Sequence, residues 1–80
     1  MTILGKPDGS LFVHKIDFDN GKVTFTEDPN EGYEYPDTWK AEVELQMLQH
    51  NFKECEEQLK DMQVFCYYEG ETPPWEQLEI

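Results

Sequence analysis

The chain organises around SLFVHKIDFDNGKVTFTE, residues 10–27. Two β-rich runs flank Asn20-Gly21, and Asn-Gly between such runs is the strongest short-range signal for a two-residue type I′ hairpin turn. With that turn as the loop, Asp19 faces Lys22, Phe18 faces Val23, Ile16 faces Phe25 and His14 faces Glu27. One face then carries Phe12, His14, Ile16, Phe18, Val23 and Phe25, and the other carries Leu11, Val13, Lys15, Asp17, Thr24 and Thr26. The side-chain period of a strand is two, so a one-residue slip would exchange the faces. His14 closes the apolar face opposite an acid and reads as a structural histidine.

Upstream, Lys6-Pro7-Asp8-Gly9 is a turn-forming group. Downstream lies EDPNEGYEYPD, residues 27–37, with five carboxylates, two tyrosines and no lysine. Pro29 ends the strand, and Pro36 disfavours helix at Tyr35. Asp37 or Thr38 then caps a helix. Ala41, Leu45, Leu48, Phe52, Cys55, Leu59 and Met62 recur at alternating spacings of four and three, and no glycine or proline interrupts residues 37–69. A helix over 38–61 would run roughly 36 Å, longer than a hairpin of at most about 30 Å. One long helix, bent or partly overhanging, is expected, with a break near His50-Asn51 as the alternative. The stripe covers the hairpin or forms a coiled-coil seam; its flanks offer no opposite-charge pairs to a parallel dimer, which favours covering. Trp39, Val43 and Met47 form a second row that docks at the sheet edge or carries a partner.

Residues 62–69, MQVFCYYE, read as a further strand, with Val64, Cys66 and Tyr68 on one side and Phe65 and Tyr67 on the other, partly exposed side. Thr72-Pro73-Pro74-Trp75 reads as a capped turn from which Trp75 packs back on the body; Leu78 and Ile80 do the same or stay mobile. The expected fold is α+β: a small single domain over 1–80, an antiparallel β-hairpin (10–27) joined by an acidic connector (28–37) to a covering helix (38–61), then a strand (62–69) and a tail (70–80).

Eighteen acids against six lysines give a net charge of −12, and there is no arginine. The sign and the missing guanidinium fork both disfavour direct nucleic-acid binding, and the sign disfavours anionic membranes. The fitting partner is a basic protein or a nucleoprotein groove built for phosphate. No run of apolar residues is long enough for a transmembrane helix, and the first residues lack the pattern of a signal peptide. A cytoplasmic protein is expected. Cys55 and Cys66, the only cysteines, read as reduced core thiols, with a 55–66 disulfide as the alternative.

Catalytic and metal signatures fail one by one. From Asp17 an EF-hand loop would put glycine at position five and Asp28 at twelve; from Asp28, Pro29 intrudes and Trp39 sits at twelve. Neither histidine neighbours a cysteine, and no phosphate-cradling glycine loop exists. No enzyme activity and no cofactor are expected. An interface is the better reading. Its candidates are Glu27, Asp28, Glu31, Tyr33, Glu34, Tyr35, Asp37 and Trp39, where acids steer and aromatic residues anchor. Against it stands a packing role, in which Tyr33, Tyr35 and Trp39 staple the connector to the helix start.

The short ββα layout, an Asn-Gly hairpin followed by FTEDPNEGYEYPDTWKAEVELQMLQ, resembles many small bacteriophage proteins over most of residues 10–60. Small acidic domains of that kind are similar to anti-CRISPR and DNA-mimic inhibitors. The resemblance implies stoichiometric occlusion of a host nucleic-acid-handling complex, without a cofactor, in the host cytoplasm. The partner would be a basic protein or nucleoprotein surface, and the chain a monomer or a homodimer through the helix. The alternatives are a self-associating structural or assembly module and a small-ligand or metal binder.

Overall fold

The computed structural model describes residues 1–76; the expectations for Leu78 and Ile80 lie outside them. Strand β1 spans Thr2–Gly5, β2 Phe12–Asp17 and β3 Lys22–Thr26. Helix α1 (Thr38–Asn51), helix α2 (Glu56–Leu59) and strand β4 (Gln63–Cys66) follow, making a small α+β domain. The four strands form one antiparallel sheet in the order β3-β2-β1-β4. No helix is long and apolar enough to cross a membrane, among the described residues.

Strand β1 is an addition to the expected architecture. Its residues carry no alternation because Ile3 and Leu4 are both fully buried, one on each face of the sheet. A strand covered on both sides reads as a plain apolar run. The turn expected at Lys6–Gly9 is present: Lys6 N–H donates to Leu11 O, and Gly9, at φ +73°, donates to Lys6 O, both at 2.9 Å. Asp8 accepts from the Ser10 N–H and hydroxyl, which holds its carboxyl below the usual range.

The central hairpin forms with a different register. Asp17 pairs with Lys22, Ile16 with Val23 and Lys15 with Thr24, so the loop is Phe18–Gly21, four residues and not two. Only Gly21 of that loop has positive φ, at 64°, whereas a type I′ turn needs Asn20 there too. The Asp17 carboxylate captures Asn20 instead, accepting from its N–H at 3.2 Å and its Nδ2 at 2.6 Å. Local side-chain bonding of this kind outweighs the dipeptide preference. A bulge between Val13 and Lys15 then makes Val13 face Phe25 and Phe12 face Thr26. The bulge exchanges the expected faces of Phe12 and Val13: Val13 lies under the helices, while Phe12 points to the opposite side, and Ile16, Val23 and Phe25 keep the helix-covered face expected for them. Phe18 leaves the strand and is largely exposed, edge-on to Phe52 with ring centroids 6.1 Å apart.

The helix breaks where one alternative placed it. Phe52, at φ −101° and ψ 68°, ends α1, and a 3-10 turn over Lys53–Cys55 leads into α2. At about 21 Å, α1 matches the sheet, and the bend brings Leu59 and Met62 back into the core beside Leu45 and Leu48. The short α2 is pinned by its carbonyls. Lys6 Nζ donates to Glu57 O and Lys60 O, and Gln49 Nε2 donates to Leu59 O at 3.0 Å. A cation is favoured at that end of a helix.

The sheet carries apolar residues on both faces. Beneath the helices lie Leu4, Val13, Val23, Tyr35, Ala41, Leu45, Leu48, Leu59 and Met62. The stripe expected to cover the sheet therefore does so. On the other face Ile3, Phe12, Phe65 and Tyr67 gather around Trp75, whose ring centroid lies 4.9–5.5 Å from those of its three aromatic neighbours. Trp75 packs back as expected, and it buries the Phe65–Tyr67 side that was expected to be partly exposed. Both cysteines are free; Cys55 is half-buried, but Cys66 is exposed and is not a core thiol.

Candidate functional site

The connector is anchored at several points along its length. Thr26 Oγ1 accepts from Asp28 N–H, and the Asp28 carboxylate caps a 3-10 turn over Pro29–Glu31 by accepting from Asn30 N–H at 2.9 Å. Glu31 O lies 2.6 Å from His14 Nδ1, so the bulged histidine donates to the connector and has a structural role. Tyr33 N–H then donates to Val13 O in β2, and Tyr35 N–H to Thr2 O in β1, each at 2.8 Å.

That path divides the eight candidate residues. Gly32 packs against Ile3, and the charge of Asp28, after burial, helps raise the pKa of Tyr67. Ile3 and Tyr67 both belong to the Trp75 side. Tyr35 belongs to the helix side. The connector thus passes from one face of the sheet to the other between Glu31 and Tyr35. Glu27, Asp28 and Glu31 are exposed before that crossing, whereas Asp37 and Trp39 are exposed at the start of α1. Tyr33 and Glu34 are exposed between them. The eight residues do not make one patch.

Tyr35 is a correction. It is only 4 % exposed, and its hydroxyl donates to Glu44 Oε1 at 2.9 Å. Burial, then the Glu44 bond and charge, push its phenol far above the usual range, so it stays protonated. Its ring packs at a tilt against Tyr33, with centroids 4.8 Å apart, and staples the connector, the packing role weighed for these aromatics. It is not an available anchor. Asp37 caps α1 by accepting from Lys40 N–H at 2.8 Å, which takes up part of its carboxylate.

Trp39 has the opposite fate. It is 71 % exposed, and Val43 and Met47, at successive i+4 positions, are also exposed. The row does not dock at the sheet edge. Val43, Gln46, Met47, His50 and Asn51 line a shallow depression along it. Isolated surface apolar residues are ordinary, whereas a tryptophan-led row on one helix face is a candidate contact surface. Glu34 and Asp37 lead into this row, and Glu42 lies one helical turn from Trp39. Val43 and Met47 were visible in the sequence as a flanking row; their period said which side they shared, not that the side stays uncovered. The principal stripe, by contrast, is inside the molecule, so it offers no seam for a homodimer.

Among the described residues no group of three or more His, Cys, Asp or Glu is arranged to hold a metal ion. No family model, curated protein or solved structure matches the chain.

Proposed function

We propose that the chain is a non-catalytic binding protein of the phage-inhibitor type. It occupies the basic face of a host nucleic-acid-handling complex, stoichiometrically and without a cofactor, in the host cytoplasm. The observation that carries this reading is the uncovered Trp39–Val43–Met47 row on a chain of net charge −12. Carboxylates attract a basic surface over long range and accelerate encounter. A desolvated tryptophan with aliphatic neighbours supplies the short-range energy that acids alone do not. An acidic row around an apolar ridge suits a protein surface that normally holds phosphate, because it offers the same sign of charge.

The test is capture by the tagged protein from bacterial lysate, with and without nuclease, over a range of salt. The expected result is a basic nucleic-acid-handling complex held at fixed stoichiometry, insensitive to nuclease, weakened by salt and lost with Trp39→Ala/Met47→Ser. The captured complex should no longer bind its nucleic acid. Capture that disappears with nuclease, or that survives the double substitution, overturns the reading.

A further inference from the structure

We propose that the outer edge of β4 is a second docking site, which takes a short extended segment of a basic partner as an added strand. The ladder with β1 sets which main-chain groups face outward. Met1 and Tyr67 exchange both main-chain hydrogen bonds, Met1 N donating to Tyr67 O at 2.9 Å and Tyr67 N–H to Met1 O at 3.0 Å. Hydrogen-bonded pairs alternate along an antiparallel ladder. With Ile3 opposite Phe65 and Gly5 opposite Gln63, these are the other bonded pairs. The N–H and C=O groups of Val64 and Cys66 therefore point away from β1.

Among the described residues no strand lies beyond β4, and these four groups have no partner. The next outward pair is already closed: Tyr68 N–H donates to Glu71 Oε1 at 3.2 Å, and Tyr68 O accepts from Glu71 N–H at 3.0 Å. The fold seals one end of this edge with a turn and leaves two residues of it open. An unpaired, uncharged strand edge is a template for another strand.

The surroundings select the occupant. A groove runs between α1 and the start of β4, lined by Glu42, Leu45, Gln46, Gln49, Gln63 and Val64 among others. Glu69 and Glu71 follow the strand at its other end. An added strand would place alternate side chains on the α1 side, against Glu42 and the two glutamines. Lysine or arginine fits those positions. A second copy of this chain would bring another −12 to the same edge, and like charge opposes it. The inference shares only the sign of the partner's charge with the reading of the Trp39 row.

The probe is a short acetylated peptide alternating lysine and valine, titrated against the whole protein, beside the same peptide with alternate amides N-methylated and one with glutamate for lysine. The lysine peptide should bind, more weakly at higher salt, and should slow hydrogen exchange at the Val64 and Cys66 amides. N-methylation should cost on the order of tenfold or more in affinity, and the glutamate peptide should not bind. Cys66→Pro removes an outward N–H and no ladder bond; it should lower affinity similarly with an unchanged circular dichroism spectrum. No binding by the lysine peptide, equal binding by its N-methylated form, or a dimer of the free protein that protects the same two amides each overturns the inference. None of these outcomes touches the lysate capture, which depends on Trp39 and Met47.

Discussion

Trp75 lies on Gly9: the indole ring occupies the space that a Cβ at Gly9 would need, and Gly9 sits at φ +73°. The turn between β1 and β2 and the C-terminal turn therefore lock each other. Gly9→Ala should destabilise the protein by roughly 1–3 kcal/mol, through a disfavoured backbone and a displaced indole. Trp75→Ala should cost about 2–4 kcal/mol, since the ring is only partly buried. With the indole gone the alanine no longer overlaps it, so the double variant should lose less than the sum. Urea denaturation of the four proteins measures this coupling; strict additivity would refute the contact as described.

Tyr35 donates to Glu44 from a buried position, and its raised pKa is a statement about stability. In the unfolded chain a tyrosine ionises near pH 10, whereas here the folded state keeps its proton to higher pH. The contribution is fully present below about pH 10 and is lost as pH rises through the folded value. Tyr67, also raised by burial, acts in the same sense. Tyr35→Phe should cost about 1 kcal/mol at neutral pH and flatten the alkaline fall in stability. Thermal melts at neutral pH and above pH 10 compare the two proteins.

The Asp17 carboxylate, lowered from its usual range first by the Asn20 side chain and then by its N–H, organises the β2–β3 turn. Its stabilising effect is present above the ordinary aspartate range, near pH 4, and is lost as pH falls through the lower folded value. Asp17→Ala should reduce the urea midpoint at neutral pH and remove part of the acid dependence. Asn20→Ala should do the same. If only the Asn-Gly dipeptide set the turn, Asp17→Ala would leave the midpoint unchanged.

Adjacent positions of α1 should respond oppositely to truncation. Met47→Ser and Trp39→Ala remove exposed side chains and should shift stability by no more than about 0.5 kcal/mol. Leu48→Ala empties a fully buried position and should cost about 2–5 kcal/mol. Binding of the captured partner should show the reverse sensitivity. Circular dichroism melts alongside binding isotherms separate the surface from the core. Loss of folding in Met47→Ser would mean that the row is packed.

Much of the architecture was legible because it is written in local periodicity. The stripe from Ala41 to Met62, its cap at Asp37 and the strand around Val64 are each set by one continuous stretch of the chain. Length showed only that a helix through residue 61 would outrun the sheet; one long, bent helix was the expected answer, and the fold took the alternative, a break at Phe52. Register was not legible in the same way. It turned on whether Asn20 served its own backbone or the Asp17 carboxylate, and on the bulge at His14 that rolls Phe12 to the far side. Strand β1 was missed because its main ladder is with β4, some sixty residues away, while it meets β2 only at Gly5 and Phe12, and because burial on both faces erases alternation.

The candidate surface divides along the same line. Composition alone established the charge and the absence of arginine, from which the sign of the proposed partner is argued. The aromatic residues of the connector and helix start were chemically alike in the sequence, and only tertiary contacts separated them. Tyr35 was drawn under the helix by a main-chain bond to Thr2 and a hydroxyl bond to Glu44. Trp39 was left outside because the sheet beneath α1 is already filled by Ala41, Leu45 and Leu48. Periodicity and charge are properties of neighbouring residues, so the chain itself determined them. Which side chains remain uncovered depends on what arrives from distant segments, and only the assembled fold decided that.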